Sequence, residues 1–162
     1  MIVVAFGSNL GDRDRIIRDA AAGVAAFLTS FRLSPILETA PVGRGLEHDP
    51  PYLNAVGVGE SSASPRELFD RLREIETAAG RTRPYPNAPR ILDLDLILAG
   101  TEIVDEADLQ VPHPRFRERL FVLGPLAELA PDLVDPVTGL TIADLLRTRP
   151  PSPPRGSGGR GT

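Results

Sequence analysis

Two hydrophobic periods alternate along this chain, and the switches between them mark out its elements. Ile2, Val3, Val4, Ala5 and Phe6 form a short continuous apolar run, the mark of a central strand. Gly7-Ser8-Asn9-Leu10-Gly11-Asp12 then breaks the run with turn formers, and Asp12 offers a helix cap. Ile16, Ile17, Ala20, Ala21, Val24, Phe27 and Leu28 follow at helical spacing and predict a first helix. Residues 32–38 read as a second strand and residues 53–58 as a third. Ser64-Pro65-Arg66-Glu67 is a capping box with proline at the first helical position. Leu68, Leu72, Ile75 and Ala79 carry the second helix, and Gly80 closes it.

A fourth strand begins near Ile91. The order β-α-β-β-α-β predicts an α+β fold of the ferredoxin-like kind, an antiparallel sheet with two helices on one face. Residues 102–104 and 109–111 read as short strands, and residues 114–119, 123–129 and 142–146 as short C-terminal helical segments. Two irregular stretches, residues 41–51 and 81–89, are rich in Gly, Pro and charge, and loops of that length usually work for their place in a domain. Residues 1–149 read as one domain. From residue 150 onward Pro, Gly, Ser and Arg dominate without an apolar anchor, which predicts a disordered tail.

The fourth strand carries the most informative chemistry. Alternation puts Asp93 and Asp95 on the side of Ile91 and Ile97, while Leu92, Leu94, Leu96 and Leu98 form an apolar comb on the other side. Carboxylates two residues apart on a strand sit roughly 7 Å apart at Cα, and in a partly apolar setting they call for a cation or a proton between them. A solvated edge strand explains the pair equally well. Arg90 just before it, with Arg81 and Arg83 upstream, shifts the balance toward a site where acids hold a divalent cation and arginines hold phosphate oxygens.

Composition narrows the chemistry further. With 162 residues, 41% hydrophobic and 25% charged, the chain has the makeup of one globular domain. Its net charge of −4 argues against broad binding to nucleic acid or a membrane surface, so an anionic ligand needs a local cationic cluster. All 18 basic residues are arginine, which excludes a Schiff-base or P-loop lysine. The absence of cysteine removes thiolate metal sites and thiol nucleophiles. With no secretory leader pattern and no long apolar run, the expectation is a cytoplasmic protein.

Four stretches carry a resemblance to the 6-hydroxymethyl-7,8-dihydropterin pyrophosphokinase family. They are Phe6-Gly7-Ser8-Asn9-Leu10-Gly11-Asp12; Glu38-Thr39-Ala40-Pro41-Val42-Gly43 running on to Tyr52-Leu53-Asn54; Gly80-Arg81-Thr82-Arg83 with Arg90-Ile91-Leu92-Asp93-Leu94-Asp95; and Val111-Pro112-His113-Pro114 with Arg119-Leu120-Phe121. The resemblance implies transfer of pyrophosphate from ATP, as co-substrate, to the hydroxymethyl group of the pterin in folate biosynthesis, with AMP released and two Mg²⁺ ions used. It implies that Asp93 and Asp95 hold the metal and that Arg81 and Arg90 act on the triphosphate. Glu76, Arg83, Leu96, His113 and Arg119 would contact ATP. Thr39, Ala40, Val42, Tyr52, Asn54 and Phe121 would bind the pterin, with Tyr52 and Phe121 as a stacking pair. Glu76 reads as lying on the exposed side of its helix. Asn87 and Pro114 stand where some members carry aromatics. Other folate-pathway enzymes stay open as partners.

Two rival classes account for parts of the pattern. A non-catalytic ferredoxin-like ligand-binding module explains the fold and leaves the acid pair and the arginines idle. A metal-dependent phosphodiesterase or nuclease could use D-x-D, but it usually draws on more acidic or histidine ligands, and the chain has only His48 and His113.

Overall fold

An unbroken apolar strand needs cover on both sides, and the computed structural model, which describes residues 1–40, 51–80 and 91–149, supplies it. The central strand is β1 (Ile2–Ser8), followed by helix α1 (Arg13–Ala25), strands β2 (Thr29–Leu33), β3 (Leu37–Thr39) and β4 (Tyr52–Glu60), helix α2 (Pro65–Ala79) and strand β5 (Asp93–Ala99). The sheet runs β2-β4-β1-β5 with every pairing antiparallel, and β3 pairs with the other end of β4. This is the expected ferredoxin-like order. A small hairpin, β6 (Val104–Asp105) and β7 (Gln110–Val111), precedes a 3-10 turn at Phe116–Glu118, helix α3 (Leu120–Leu129) and helix α4 (Ile142–Thr148).

Each face of the sheet has its own core. Ile2, Val4, Phe6, Ala55, Leu94 and Leu96 pack against Ile17, Ala20, Ala21 and Val24 of α1 and Leu68 and Leu72 of α2. Val3, Val56, Val58, Ile97 and Leu98 pack against Phe116, Val122, Leu123, Leu126, Ile142 and Leu145. The C-terminal helical segments, which the sequence pattern left unplaced, build a third layer.

Three local readings change. The strand expected over residues 32–38 is two strands, because Ser34 is buried and its Oγ accepts from the Val56 N–H at 2.9 Å, while Pro35 has no N–H to continue the ladder. The first helix stops at Ala25: Ala26 N–H bonds the Ala22 carbonyl and Phe27 N–H the Val24 carbonyl, a tightening that ends the helix, so Phe27 and Leu28 reach the core from the turn beyond it. The leucine comb also ends early. Val3 pairs with Leu98 and Val4 with Leu96, so Ile97 is the extra residue of a bulge, and Leu98 crosses to the α3 face. The capping box of α2 forms as expected, with Glu67 N–H donating to Ser64 Oγ at 3.2 Å and Ser64 N–H to Glu67 Oε2 at 3.4 Å.

Candidate active site

The side chains of β1 that face α3 shrink along the strand, from Val3 to Ala5 to Gly7. Their cross-strand neighbours change with them. Val3 lies between Val58 and Leu98, Ala5 between Val56 and Asp95, and Gly7 between Asn54 and Asp93. One end of this face is thus apolar and packed under α3 and α4, and the other end is polar. A methyl group at Gly7 would stand 3.4 Å from Asn54 Oδ1 and 4.0 Å from both Asp93 Cβ and Tyr52 Cδ1. Gly7 is therefore a floor tile bounded by an amide, an aromatic ring and a carboxylate, and a flat polar ring could lie there. In the sequence Gly7 read only as a turn former.

The polar groups around this floor are held from behind. Asn54 is buried, and its Nδ2 donates to Thr39 Oγ1 at 2.5 Å, which sets the amide orientation and leaves Oδ1 toward Gly7 as an acceptor. Ser8, fully buried, donates from Oγ to the Ile91 carbonyl at 2.5 Å and ties the end of β1 to the approach to Asp93. Glu76 is half-buried rather than on an exposed helix side: its Oε2 accepts from Leu94 N–H at 3.4 Å. The bond secures β5 to α2 at the residue between the two aspartates. Tyr52 is half-buried and Ala40 exposed.

On β5, Asp95 is approached by two basic side chains from the C-terminal half. Arg119 NH1 lies 3.7 Å from Asp95 Oδ2, and His113 Nε2 lies 4.0 Å from the same oxygen. His113 is placed by backbone on both sides. Its N–H donates to the Ile97 carbonyl at 2.9 Å, and its Nδ1 accepts from Arg115 N–H at 3.1 Å, which puts the proton of the neutral ring on Nε2, facing Asp95. Burial holds this imidazole below its ordinary pKa; Asp95 opposes that, while Arg119 and Arg115 add to it. The Arg119 guanidinium sits 5.8 Å from the centre of the Phe121 ring, so the residue expected to stack on the pterin adjoins the residue expected to meet ATP.

A cleft of about 320 Å³ opens beside Asp95, lined by Leu94, Leu96, Phe69, His113, Pro114 and residues 107–110 of the β6–β7 hairpin. A larger cavity of about 490 Å³ lies at the other end of the sheet around Met1, Ser62, Ser64, Gly100 and Glu102, and it touches none of the predicted site residues. The smaller one joins the chemistry. Arg81, Arg83, Arg90 and Val42 lie outside the described residues.

The donor set bears on the metal. Among the described residues no three His, Cys, Asp or Glu side chains gather as ligands. Two carboxylates without thiolates suit Mg²⁺, which keeps waters and substrate phosphate oxygens in its shell, and do not suit a closed zinc site.

Comparison with known proteins bears on the whole arrangement. A family profile described as 7,8-dihydro-6-hydroxymethylpterin-pyrophosphokinase (HPPK) matches residues 3–131. The 2-amino-4-hydroxy-6-hydroxymethyldihydropteridine pyrophosphokinase of Bacillus subtilis is 43% identical over 128 residues, covering 78% of this chain and 75% of that one. The protein of the same name from Pseudomonas aeruginosa is 39% identical over 153 residues, covering 92% and 91%. Some relatives are longer: the chain spans 19% of the Pneumocystis carinii folic acid synthesis protein fol1, at 37% identity. A crystal structure of wild-type Plasmodium falciparum HPPK-DHPS superposes with a TM-score of 0.68 over 90% of this chain and 44% of that one, and at 13% identity this speaks to the fold alone. With the profile spanning most of the chain and bacterial relatives matched along most of their length, the chain belongs to the 7,8-dihydro-6-hydroxymethylpterin-pyrophosphokinase family, whose reaction moves pyrophosphate from ATP to hydroxymethyldihydropterin in folate synthesis.

Proposed function

We propose that this chain performs the family reaction at the polar end of its sheet, with the pterin over Gly7 and ATP entering beside Asp95. The observation that carries the reading is the convergence on Asp95 of His113, Arg119 and the 320 Å³ cleft, one row from the Gly7 floor. The pterin ring is flat and carries N–H donors along one edge. Asn54 Oδ1, with its orientation set by Thr39, is the acceptor for that edge, and the Tyr52 and Phe121 rings are the stacking faces. Backbone around Ala40 and Val42 completes the pterin contacts. The nucleoside of ATP occupies the cleft against Leu96, with Glu76 holding the edge strand behind it.

Asp93 and Asp95 are the residues to hold two Mg²⁺ ions, which supply charge neutralisation at the phosphate oxygens. The arginines do the rest of the electrostatic work. Arg119, together with Arg81, Arg83 and Arg90, grips the triphosphate with planar forks that match phosphate oxygens. His113 presents Nε2–H at the same place, and burial favours its neutral form. In the transfer, the pterin hydroxyl oxygen bonds to the β-phosphorus, the bridge between α- and β-phosphorus breaks, and AMP leaves with the bridging oxygen while the hydroxyl proton is released. In-line displacement needs the hydroxyl fixed opposite the leaving oxygen, which stacking supplies. The longer folate-synthesis relatives point to other folate-pathway enzymes as partners. No helix among the described residues is long and apolar enough to cross a membrane.

Incubation with Mg-ATP and the reduced pterin tests the reading. AMP and pterin diphosphate in equal amounts are expected. ADP with a pterin monophosphate would overturn it, binding without turnover would favour the ligand-binding module, and cleavage of phosphodiesters would favour the nuclease.

A further inference from the structure

The cleft beside Asp95 has one wall made of a short element. Strands β6 and β7 share two residue pairs, Val104 with Val111 and Asp105 with Gln110, and the tip is closed by the Glu106 N–H bond to the Leu109 carbonyl at 2.9 Å. So small a hairpin has little intrinsic stability. Yet residues 107–110 form the outer side of the cleft, facing Leu94 and Leu96 of β5. Buried Leu109 anchors the hairpin on the inside. On the outside, Arg66 in the first turn of α2 holds the tip. Its NH1 and NH2 meet the two carboxylate oxygens of Asp108 at 2.8 and 2.9 Å, and NH2 also bonds Glu106. The same guanidinium lies 5.5 Å from the centre of the Phe69 ring, itself part of the cleft, and Arg73 lies 5.4 Å from that ring.

We propose that Arg66 is a positioning residue for the nucleotide: it pins the β6–β7 tip to α2 and so sets the width of the cleft that takes the nucleoside end of ATP. The inference rests on the assignment of that cleft to ATP. This contact concerns ATP and does not touch the pterin floor at Gly7. An exposed fork of this kind contributes little to global stability, which separates its local role from folding.

The test is steady-state kinetics and calorimetry on the full chain carrying Arg66→Ala, Arg66→Lys or Asp108→Asn. Arg66→Ala should raise KM for ATP about three- to tenfold while kcat and the pterin KM stay at wild-type values. Arg66→Lys should recover part of the loss, since it keeps the charge without the fork. Asp108→Asn, which breaks the fork from the other side, should repeat the ATP defect and serves in place of Arg66→Ala if that variant does not fold. An unchanged KM for ATP in both Arg66→Ala and Asp108→Asn, or equal losses for both substrates with a lowered melting temperature, would overturn the proposal. Wild-type protein that fails to bind Mg-ATP would overturn the underlying assignment of the cleft instead.

Discussion

On the α3 side of the sheet, Val3, Val58 and Leu98 sit in one cross-strand row, and Gly7, Asn54 and Asp93 sit in another about four residues farther along the same strands. The backbone ladder is continuous between them. What differs is the side-chain volume and polarity that it displays. The first row lies under Phe116, Val122, Leu123 and Leu126, and its contribution is burial. The second keeps a glycine at its centre, and its contribution is polar groups set in place by Thr39, Ser8 and Glu76. Charge follows the same division. In the packed half the Asp135 carboxylate is fully buried and fully satisfied, bonded by Arg117 Nε and NH2 at 2.6 and 2.9 Å, by the Thr138 hydroxyl and by Val137 N–H. In the polar half Asp95 stays 41% exposed, with Arg119 and His113 at 3.7 and 4.0 Å, too far for strong hydrogen bonds. One carboxylate is spent on structure, and the other is left with valence for a ligand.

That contrast can be broken at either end. The largest effect is expected from Asp95→Ala, with Asp93→Ala close behind: turnover should fall by roughly 10²–10³-fold or more. The melting temperature without metal should hold or rise as like-charge repulsion is relieved, and single-turnover assays beside thermal melts would check both. Phe116→Ala should do the reverse, costing about 3–5 kcal/mol of stability by denaturant titration while turnover per folded molecule is kept. If Phe116→Ala also changed the pterin KM, the two ends would be coupled through the sheet.

Gly7→Ala sharpens the comparison, because the new methyl meets its neighbours at ordinary contact distance and the fold should tolerate it. Pterin affinity, by calorimetry, should drop about tenfold, with ATP affinity unchanged, since a single misplaced methyl group in a fitted pocket has that order of effect. Gly57→Ala on the opposite face is the control: a methyl there would lie 2.7 Å from the Phe31 ring, so stability should suffer instead.

The smallest effect concerns pH. Burial pushes the Asp135 carboxyl up, but the Arg117 fork, the Thr138 hydroxyl and Val137 N–H outweigh it and hold the pKa below the ordinary carboxylate value. A carboxyl depressed in the folded state stabilises fully above its unfolded pKa of about 4, and the contribution is lost as pH falls through the lower folded value. Acid melts of Asp135→Asn should therefore show less loss of stability below about pH 4 than wild type. Equal acid sensitivity would place the titrating groups elsewhere.

Local signals in the chain were enough for most of the frame. The run Ile2 to Phe6, the capping box at Ser64 and the helical spacing of Leu68 and Leu72 each describe a preference of a few neighbouring residues, and such preferences survive folding unchanged. The acid pair was legible for the same reason, since alternation over two residues needs no partner strand. Apart from the early end of α1, the readings that failed depend on a partner. Ser34 splits a strand only because Val56 offers an N–H across the sheet, and Leu98 changes face only because β1 and β5 slip by one residue at Ile97. Glu76 looks solvated on a helical wheel until Leu94 comes within reach.

From the sequence alone follow the α+β order, the D-x-D strand, the arginine-only basic set and the motifs that carry the family resemblance, all of them properties of residues close along the chain. Tertiary structure alone decided that Asp95 meets His113 and Arg119, that Gly7 becomes a floor between Asn54 and Asp93, and that Arg66 reaches Asp108 across 42 residues. Side-chain type and short-range period are written locally, whereas the distance between groups far apart in sequence is set by strand register and helix packing, which no local pattern contains.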